Sequence, residues 1–331
     1  MIFGSYSVKV EKLIKEVMRR NCKRILLQAP DGLKKHMLEI SDLLEEKGVE
    51  VLLSTDPCFG ACDVSCIYYA GALNVDMVVQ IGHLPIPSLK APVMYVNAEG
   101  IAREEEGVRK AIPELQGSKI GLVANAQHIN KLEKVSKILK REGFEVFIGK
   151  GDERIYRDGL VLGCNFSSAT SISKHVDAFL FIGSGLFHPV GLSMVTSKRV
   201  VAVDPFTLKV FSEEIEREKN GFLRRRYAVI SLAKDAERFG IIVGIKPGQL
   251  RKEKAFEIKK KLERCEKKAY IFVVDNLSQN ILDAFSGIDC FVSTLCPRVA
   301  IDNVFKVPLI NPSELEIVLG EREDYVFETL K

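Results

Sequence analysis

Eight cysteines and five histidines hold most of the chemistry this 331-residue sequence could perform. Three of the thiols share one stretch, Asp56-Pro57-Cys58-Phe59-Gly60-Ala61-Cys62-Asp63 with Cys66 just beyond. The stretch follows an apolar run, Val49 to Leu53, that reads as a strand closing in turn residues. A thiol on a Gly-containing loop at a strand end is well placed to ligate a metal. One way to complete a ligand set is local, through the C-x3-C-x3-C spacing of Cys58, Cys62 and Cys66. It is reminiscent of the C-x3-C-x2-C loop of radical enzymes, but the last gap is one residue too long. On a helix it would give a stripe of thiols on one face, which wraps a cluster corner poorly. The other way joins Cys62 to Cys164 and Cys296, far apart in sequence. Thiolates from three loops can hold a [4Fe–4S] cluster by three corners and leave one iron open. The bland alternative is three unrelated buried cysteines. Cys22 near the end of the first helix, Cys265 continuing an apolar face with Phe256, Ile258 and Leu262, and Cys290 inside a strand read as bystanders.

The elements that must position these thiols follow one grammar three times. The first segment runs from the strand Arg24 to Gln28 through a helix carrying Leu33, Met37, Ile40, Leu43 and Leu44, with Gly48 as its stop. Strand Val49 to Leu53, the Cys62 loop, a short helix through Tyr69 and Ala70, and strands Asp76 to Ile81 and Pro92 to Val96 complete it. The second opens with Lys119 to Val123 and has a helix with Ile129, Leu132, Val135, Ile138 and Leu139. It continues through Phe144 to Ile148, Leu160 to Cys164, Asp177 to Ile182, and Val200 to Val203. The third runs Gly240 to Gly244, a helix from Ala255 to Lys267, Ala269 to Val274, Asp289 to Ser293, and Val307 to Ile310. Apolar strands separated by amphipathic helices are the pattern of parallel sheets covered on both faces. Three recurrences predict three related α/β domains, here 1–105, 106–207 and 208–331, the last including a charged helical connector from Leu208 to Glu237. In such sheets ligands sit beyond the carboxyl ends of the strands. Gln28, Cys62 and His83 fall there in the first segment, and Gln127, His128, Cys164, His188 and Asp204 in the second. Lys246-Pro247-Gly248-Gln249 and Cys296 do so in the third.

Composition is that of a globular chain, 47% hydrophobic and 28% charged. A net charge of +4 is too small to imply nucleic acid, and Arg224-Arg225-Arg226 reads as a solvated helix face. Met1 to Met18 lacks a signal-peptide layout; Val10, Leu13, Ile14 and Val17 have helical spacing instead. The uncharged run from Ala178 to Ser197 is nominally long enough to span a bilayer. Gly183-Ser184-Gly185 and His188-Pro189-Val190-Gly191 break it into a buried strand, a loop and a helix start. The expectation is a cytoplasmic protein without a membrane segment, its thiols reduced, metal-bound or buried. Gly183 to His188 begins like a dinucleotide fingerprint but lacks the third glycine, and neither a Walker loop nor a His-Glu-x-x-His is present. His83, His128 and His188 suggest a polar pocket as a set. Asp302 reads as a local cap or pair.

Gly60-Ala61-Cys62-Asp63, Gly163-Cys164 and Cys296-Pro297-Arg298-Val299-Ala300-Ile301-Asp302 resemble the diphthamide-biosynthesis enzymes of the archaeal 2-(3-amino-3-carboxypropyl)histidine synthase type. So do Gln28-Ala29-Pro30-Asp31-Gly32, Gly185-Leu186-Phe187-His188-Pro189, Asp204-Pro205 and Pro308 to Glu316. The likeness covers nearly the whole chain. It implies three homologous domains in a triangle, with Cys62, Cys164 and Cys296 holding a central [4Fe–4S] cluster, in a homodimer. It also implies S-adenosylmethionine at the open iron, an electron donor, and a histidine of translation elongation factor 2 as the substrate. The implied chemistry is cleavage of the sulfonium to a 3-amino-3-carboxypropyl radical, which adds to the imidazole C2 while methylthioadenosine leaves. Gln28, Gln127, His128, His188 and Asp204, at strand ends, are the expected cofactor-pocket residues. Two departures stand out: Cys58 and Cys66 flank the expected first ligand, and Asn303 follows Asp302 where a second acidic residue is common. A quinolinate-synthase-like dehydratase and a non-catalytic cluster-bearing subunit are the competing readings.

Overall fold

The computed structural model describes residues 1–64, 66–302 and 305–330, so Asn303 lies outside the described residues. Its first eight residues are not helical. β1 (Ile2–Phe3) and β2 (Tyr6–Val8) form an antiparallel hairpin around Gly4, and the helix starts only at Val10 and ends at Arg19. Val10, Leu13 and Val17 point inward from that helix, as their spacing requires.

The rest of the chain builds three mainly parallel sheets. β3 (Arg24–Gln28), β4 (Glu50–Leu53), β5 (Met77–Ile81) and β6 (Val93–Val96) make the first, in the order β4-β3-β5-β6. β7 (Ala98–Gly100) returns to pair with β2. β8 (Lys119–Ala124), β9 (Glu145–Phe147), β10 (Ala178–Ile182) and β11 (Arg199–Asp204) make the second, ordered β9-β8-β10-β11. β12 (Lys209–Phe211) adds an antiparallel edge to it beside β11. β13 (Arg238–Gly244), β14 (Lys268–Val274), β15 (Cys290–Ser293) and β16 (Leu309–Ile310) make the third, ordered β14-β13-β15-β16.

Each sheet therefore reverses its strand order at the same place, between its first and third parallel strands, where a doubly wound sheet opens a crevice. One local device also recurs. Asp76 Oδ2 accepts the backbone N–H groups of Lys23 and Arg24 at 2.6 and 2.8 Å. Asp177 does the same for Ser118 and Lys119, both at 2.9 Å, and Asp289 for Glu237 and Arg238 at 3.0 and 2.8 Å. In each case a carboxylate just ahead of the third strand satisfies donors at the start of the first, which pins the register at that end. These bonds hold the Asp76 and Asp177 carboxyls below their ordinary pKa.

Alternate residues of each central strand feed opposite faces. Ile25 and Leu27 join one buried cluster with Val79 and Ile81, while Leu26 and Val78 meet Cys66 and Ala70 on the other face. That second face is covered by the cysteine loop and the helix Ile67–Ala70. The position of the loop is thus set by sheet packing.

Three local readings change. The connector is a helix only from Glu213 to Ala233, because Lys209 to Phe211 extend as β12 in the second sheet. Arg226 is not on a solvated face: its helix buries a stripe of Ile215, Phe222, Arg226 and Ile230, while Arg224 and Arg225 stay exposed. In the helix Lys252–Arg264, Ile258 and Leu262 are buried, but Phe256 is 55% exposed and Cys265 lies on the surface after the last turn. Among the described residues no helix is long and apolar enough to cross a membrane.

Candidate metal centre

The first thiol stands on the loop between β4 and the helix Ile67–Ala70, and the loop is tied down on every side. Gln80 Nε2, from β5, donates to the carbonyls of Gly60 and Asp63, both at 3.2 Å. Tyr95 O–H donates to the Ala61 carbonyl at 3.0 Å, and the Asp63 carboxylate accepts Phe59 N–H at 3.3 Å and Lys246 Nζ at 2.7 Å. This frame separates the three neighbouring cysteines. Cys58 is buried beside Gln80 Nε2, which donates to its sulfur at 3.4 Å, and the Cys66 thiol donates to Gln28 Oε1 at 3.5 Å. Burial pushes both thiols up to about 12. Cys62 alone faces open space.

The second thiol, Cys164, sits in a tight turn closed by paired backbone hydrogen bonds between Leu162 and Asn165. Gly163 precedes it because a Cβ there would stand 2.5 Å from the Phe187 ring. The third, Cys296, follows β15 and opens the helix Pro297–Asp302. All three are free cysteines, and together they line one cavity of about 250 Å³. His83, Asn125, Gln127, His188 and Arg298 share its wall with apolar groups that include Leu84, Ile86, Val161 and Leu162. A second cavity of about 390 Å³ adjoins it, with Phe59, Cys62, Cys296 and Arg298 common to both and Lys246, Gln249 and Asp302 on its own wall.

Burial dominates the electrostatics. It raises the Cys62 and Cys296 thiols and pushes Cys164 up to about 12, and the other cavity thiols add to the rise at Cys164 and Cys296. Three thiolates here need positive charge brought to them. Burial lowers His83 and His188 to about 4, with Arg298 contributing at His188, so both imidazoles are neutral at neutral pH. His188 stacks on Phe181 with ring centroids 5.7 Å apart. Arg298 lies 4.1 Å from the Phe187 ring centre and pairs with Asp302 at 2.6 Å, the local pairing read for that aspartate.

No set of three or more His, Cys, Asp or Glu among the described residues converges to hold a single metal ion. Thiols spread around a cavity instead suit a polynuclear cluster, which offers each thiolate a separate iron. Three free thiols as the sulfur donors of one cavity, with His83 and His188 beside them as neutral imidazoles, fit iron–sulfur ligation.

The sequence-predicted pocket residues divide. Gln127 and His188 line the thiol cavity. Gln28, His128 and Asp204 lie outside its lining. Gln28 is buried behind the loop against Cys66 and Gln80. His128 is buried with Nδ1 3.1 Å from Glu104 Oε1, and Asp204 Oδ1 accepts the Phe206 and Thr207 N–H groups. A strand-end address fixes where the backbone is, and successive side chains leave it in different directions. Sequence reasoning passed over Arg154, Tyr95 and the individual parts of Lys246 and Gln249. Position beyond β13 was the signal available for the last two.

The model of the diphthamide synthesis protein family matches residues 29–327. The chain is 38% identical, over 331 residues, to 2-(3-amino-3-carboxypropyl)histidine synthase from Pyrococcus horikoshii, with 98% of this chain and 94% of that one covered. It is 30% identical over 338 residues to subunit 1 of the synthase of the same name from Saccharomyces cerevisiae, covering 98% of this chain and 77% of the other. A crystal structure of Dph2 from Pyrococcus horikoshii with a 4Fe-4S cluster matches with a TM-score of 0.90 at 38% identity, over 98% of this chain and 94% of that chain. A family match across nearly the full length, joined to an archaeal relative of this identity and coverage, means that the chain belongs to the diphthamide synthesis protein family.

Proposed function

We propose that this chain transfers the 3-amino-3-carboxypropyl group of S-adenosylmethionine to the imidazole C2 of a histidine in translation elongation factor 2, the first step of diphthamide biosynthesis. The observation that carries the reading is the grouping of Cys62, Cys164 and Cys296, one from each sheet system, around one cavity from which Cys58 and Cys66 are turned away. The named activity of the Pyrococcus and yeast relatives supports it, as does the cluster in the Pyrococcus structure.

Cys62, Cys164 and Cys296 would hold a [4Fe–4S] cluster. When bound, such a cluster with one iron free of protein ligands supplies the electron that opens a carbon–sulfur bond of a sulfonium. In the net reaction that bond breaks, a carbon–carbon bond to imidazole C2 forms, the C2 proton is lost and methylthioadenosine leaves. The chain's own residues set the conditions. Neutral His83 and His188 add polar surface without repelling a sulfonium cation. Leu84, Ile86, Val161 and Leu162 keep water from a reactive carbon fragment, and Asn125 and Gln127 offer amide groups to a polar co-substrate. Lys246 is neutralised in place by Asp63, and Arg298 by Asp302, so neither brings a bare charge to the rim. Two cavities meeting at the same thiols give room for two reactants. The reading includes a homodimer of three-domain chains in the cytoplasm, divided near residues 105 and 207, and an electron donor.

The test is iron and acid-labile sulfide per chain after anaerobic purification, for wild type and for Ala variants at Cys58, Cys62, Cys66, Cys164 and Cys296. About four irons are expected, lost at Cys62, Cys164 and Cys296 and kept at Cys58 and Cys66. Wild type given reductant, S-adenosylmethionine and elongation factor 2 is expected to release methylthioadenosine and modify the factor. Iron loss confined to Cys58, Cys62 and Cys66 would overturn the ligand set. A clustered chain that modifies nothing would overturn the activity.

A further inference from the structure

The loop leaving β13 touches the Cys62 and Cys296 segments and, through Gly248, Arg154. Gln249 is buried and uses both ends of its amide: Nε2 donates to Cys62 Sγ at 3.3 Å, and Oε1 accepts the Cys296 N–H at 3.2 Å. The orientation of that amide follows from its partners. The Cys296 N–H needs an acceptor, so the oxygen faces it and the NH2 group faces the sulfur. One residue earlier, Gly248 N–H donates to the Cys62 carbonyl at 3.1 Å, and the Gly248 carbonyl accepts Arg154 Nη2, also at 3.1 Å. The Arg154 charge also bears on Cys164, where it works against the rise that burial imposes on that thiol. The approach admits glycine alone, since a Cβ on residue 248 would stand 2.4 Å from Cys62 Cβ.

We propose that Gln249 is a positioning residue of the centre, holding the Cys62 and Cys296 loops in one geometry and raising the reduction potential of the cluster through its N–H bond to the Cys62 sulfur. The inference rests on the ligand set proposed above. An N–H directed at a cluster thiolate draws negative charge from it, which favours the more negative, reduced state over the oxidised one. The oxygen end has a separate job. It satisfies the backbone donor that leads into the helix Pro297–Asp302, so that removing the amide frees two loops at once.

The experiment compares wild type with Gln249→Leu in the full chain, both reconstituted anaerobically with iron and sulfide. Two readouts are taken: an EPR-monitored redox titration, and the exchangeable-proton couplings of the reduced cluster before and after transfer to D2O. Gln249→Leu is expected to lower the midpoint and to lose one exchangeable coupling. A tenfold fall in the reduced-to-oxidised ratio at fixed poise corresponds to about 59 mV for a one-electron couple. Gln249→Glu keeps the acceptor for the Cys296 N–H and stands in if the Leu variant does not fold, with the same direction expected for the midpoint. A clustered wild type whose variant keeps both midpoint and couplings overturns the role of Gln249 alone. A wild type that binds no iron overturns the ligand set beneath it.

Discussion

Arg226 and Lys246 are both buried cations paired with a carboxylate, and their surroundings are opposite. Arg226 spends every arm of its guanidinium. Nε and Nη2 meet the two Glu314 oxygens at 2.7 Å each, Nη1 donates to the Ala300 carbonyl at 2.7 Å, and Nη2 also donates to the Leu309 carbonyl at 2.9 Å. Glu314 is likewise filled, accepting Asn311 N–H and Tyr325 O–H. Lys246 Nζ donates to Asp63 Oδ2 at 2.7 Å, lies 5.6 Å from the Phe59 ring centre, and otherwise borders a cavity shared with two of the candidate ligand thiols. The first network is closed and has no room for a reactant; it fixes how the long helix sits on the third sheet. The second is partly open and borders space. Of these two buried cations, the one whose donors are all spent holds elements together, and the one with donors to spare stands at the candidate centre.

Substitutions can separate the two kinds of site. Arg226→Met leaves Glu314 buried without its cation and is expected to cost about 3–5 kcal/mol of stability, read by chemical denaturation. Iron per folded chain should stay at the wild-type level. A variant that lost iron in proportion to stability would erase the distinction. Gly248→Ala should cost less, about 1–3 kcal/mol of overpacking, yet take more iron with it, because the clash falls on Cys62 itself. Iron content plotted against stability for these two variants should therefore run in opposite order. Cys58→Ala and Cys66→Ala are the mildest, about 1 kcal/mol each for a small cavity behind the loop, with iron and redox midpoint unchanged. A midpoint shift in either would mean that those sulfurs reach the centre after all.

Much of the scaffold could be read in one dimension. Apolar runs gave the parallel strands to within a residue or two. Asp76, Asp177 and Asp289 each stood at the head of a predicted strand, and the structure gives all three the same task of closing off the start of the neighbouring strand. The hairpin of Ile2–Phe3 and Tyr6–Val8 was missed because a two- or three-residue strand has too few positions to show a period, and its partner β7 lies some ninety residues on. Arg226 was misread for a related reason. A run of three arginines looks solvated by composition, and the carboxylate that buries the third is Glu314, in another helix.

Strand periodicity and turn chemistry are local properties, written by each residue and its near neighbours, and for these the chain needed no coordinates; the run Leu160 to Cys164, read as a strand end, is instead a turn with isolated bridges. Which of Cys58, Cys62 and Cys66 faces the cavity is not local. It depends on Gln80 and Gln28 capturing two of them from behind and on Gly248, in a different sheet system, leaving room for the third. The same holds for the pocket: adjacent Gln127 and His128 share an address, yet one lines the cavity and the other is buried against Glu104. Side-chain direction and contacts across sheets are fixed by the packing of segments a hundred or more residues apart, and only the folded chain brings those segments together.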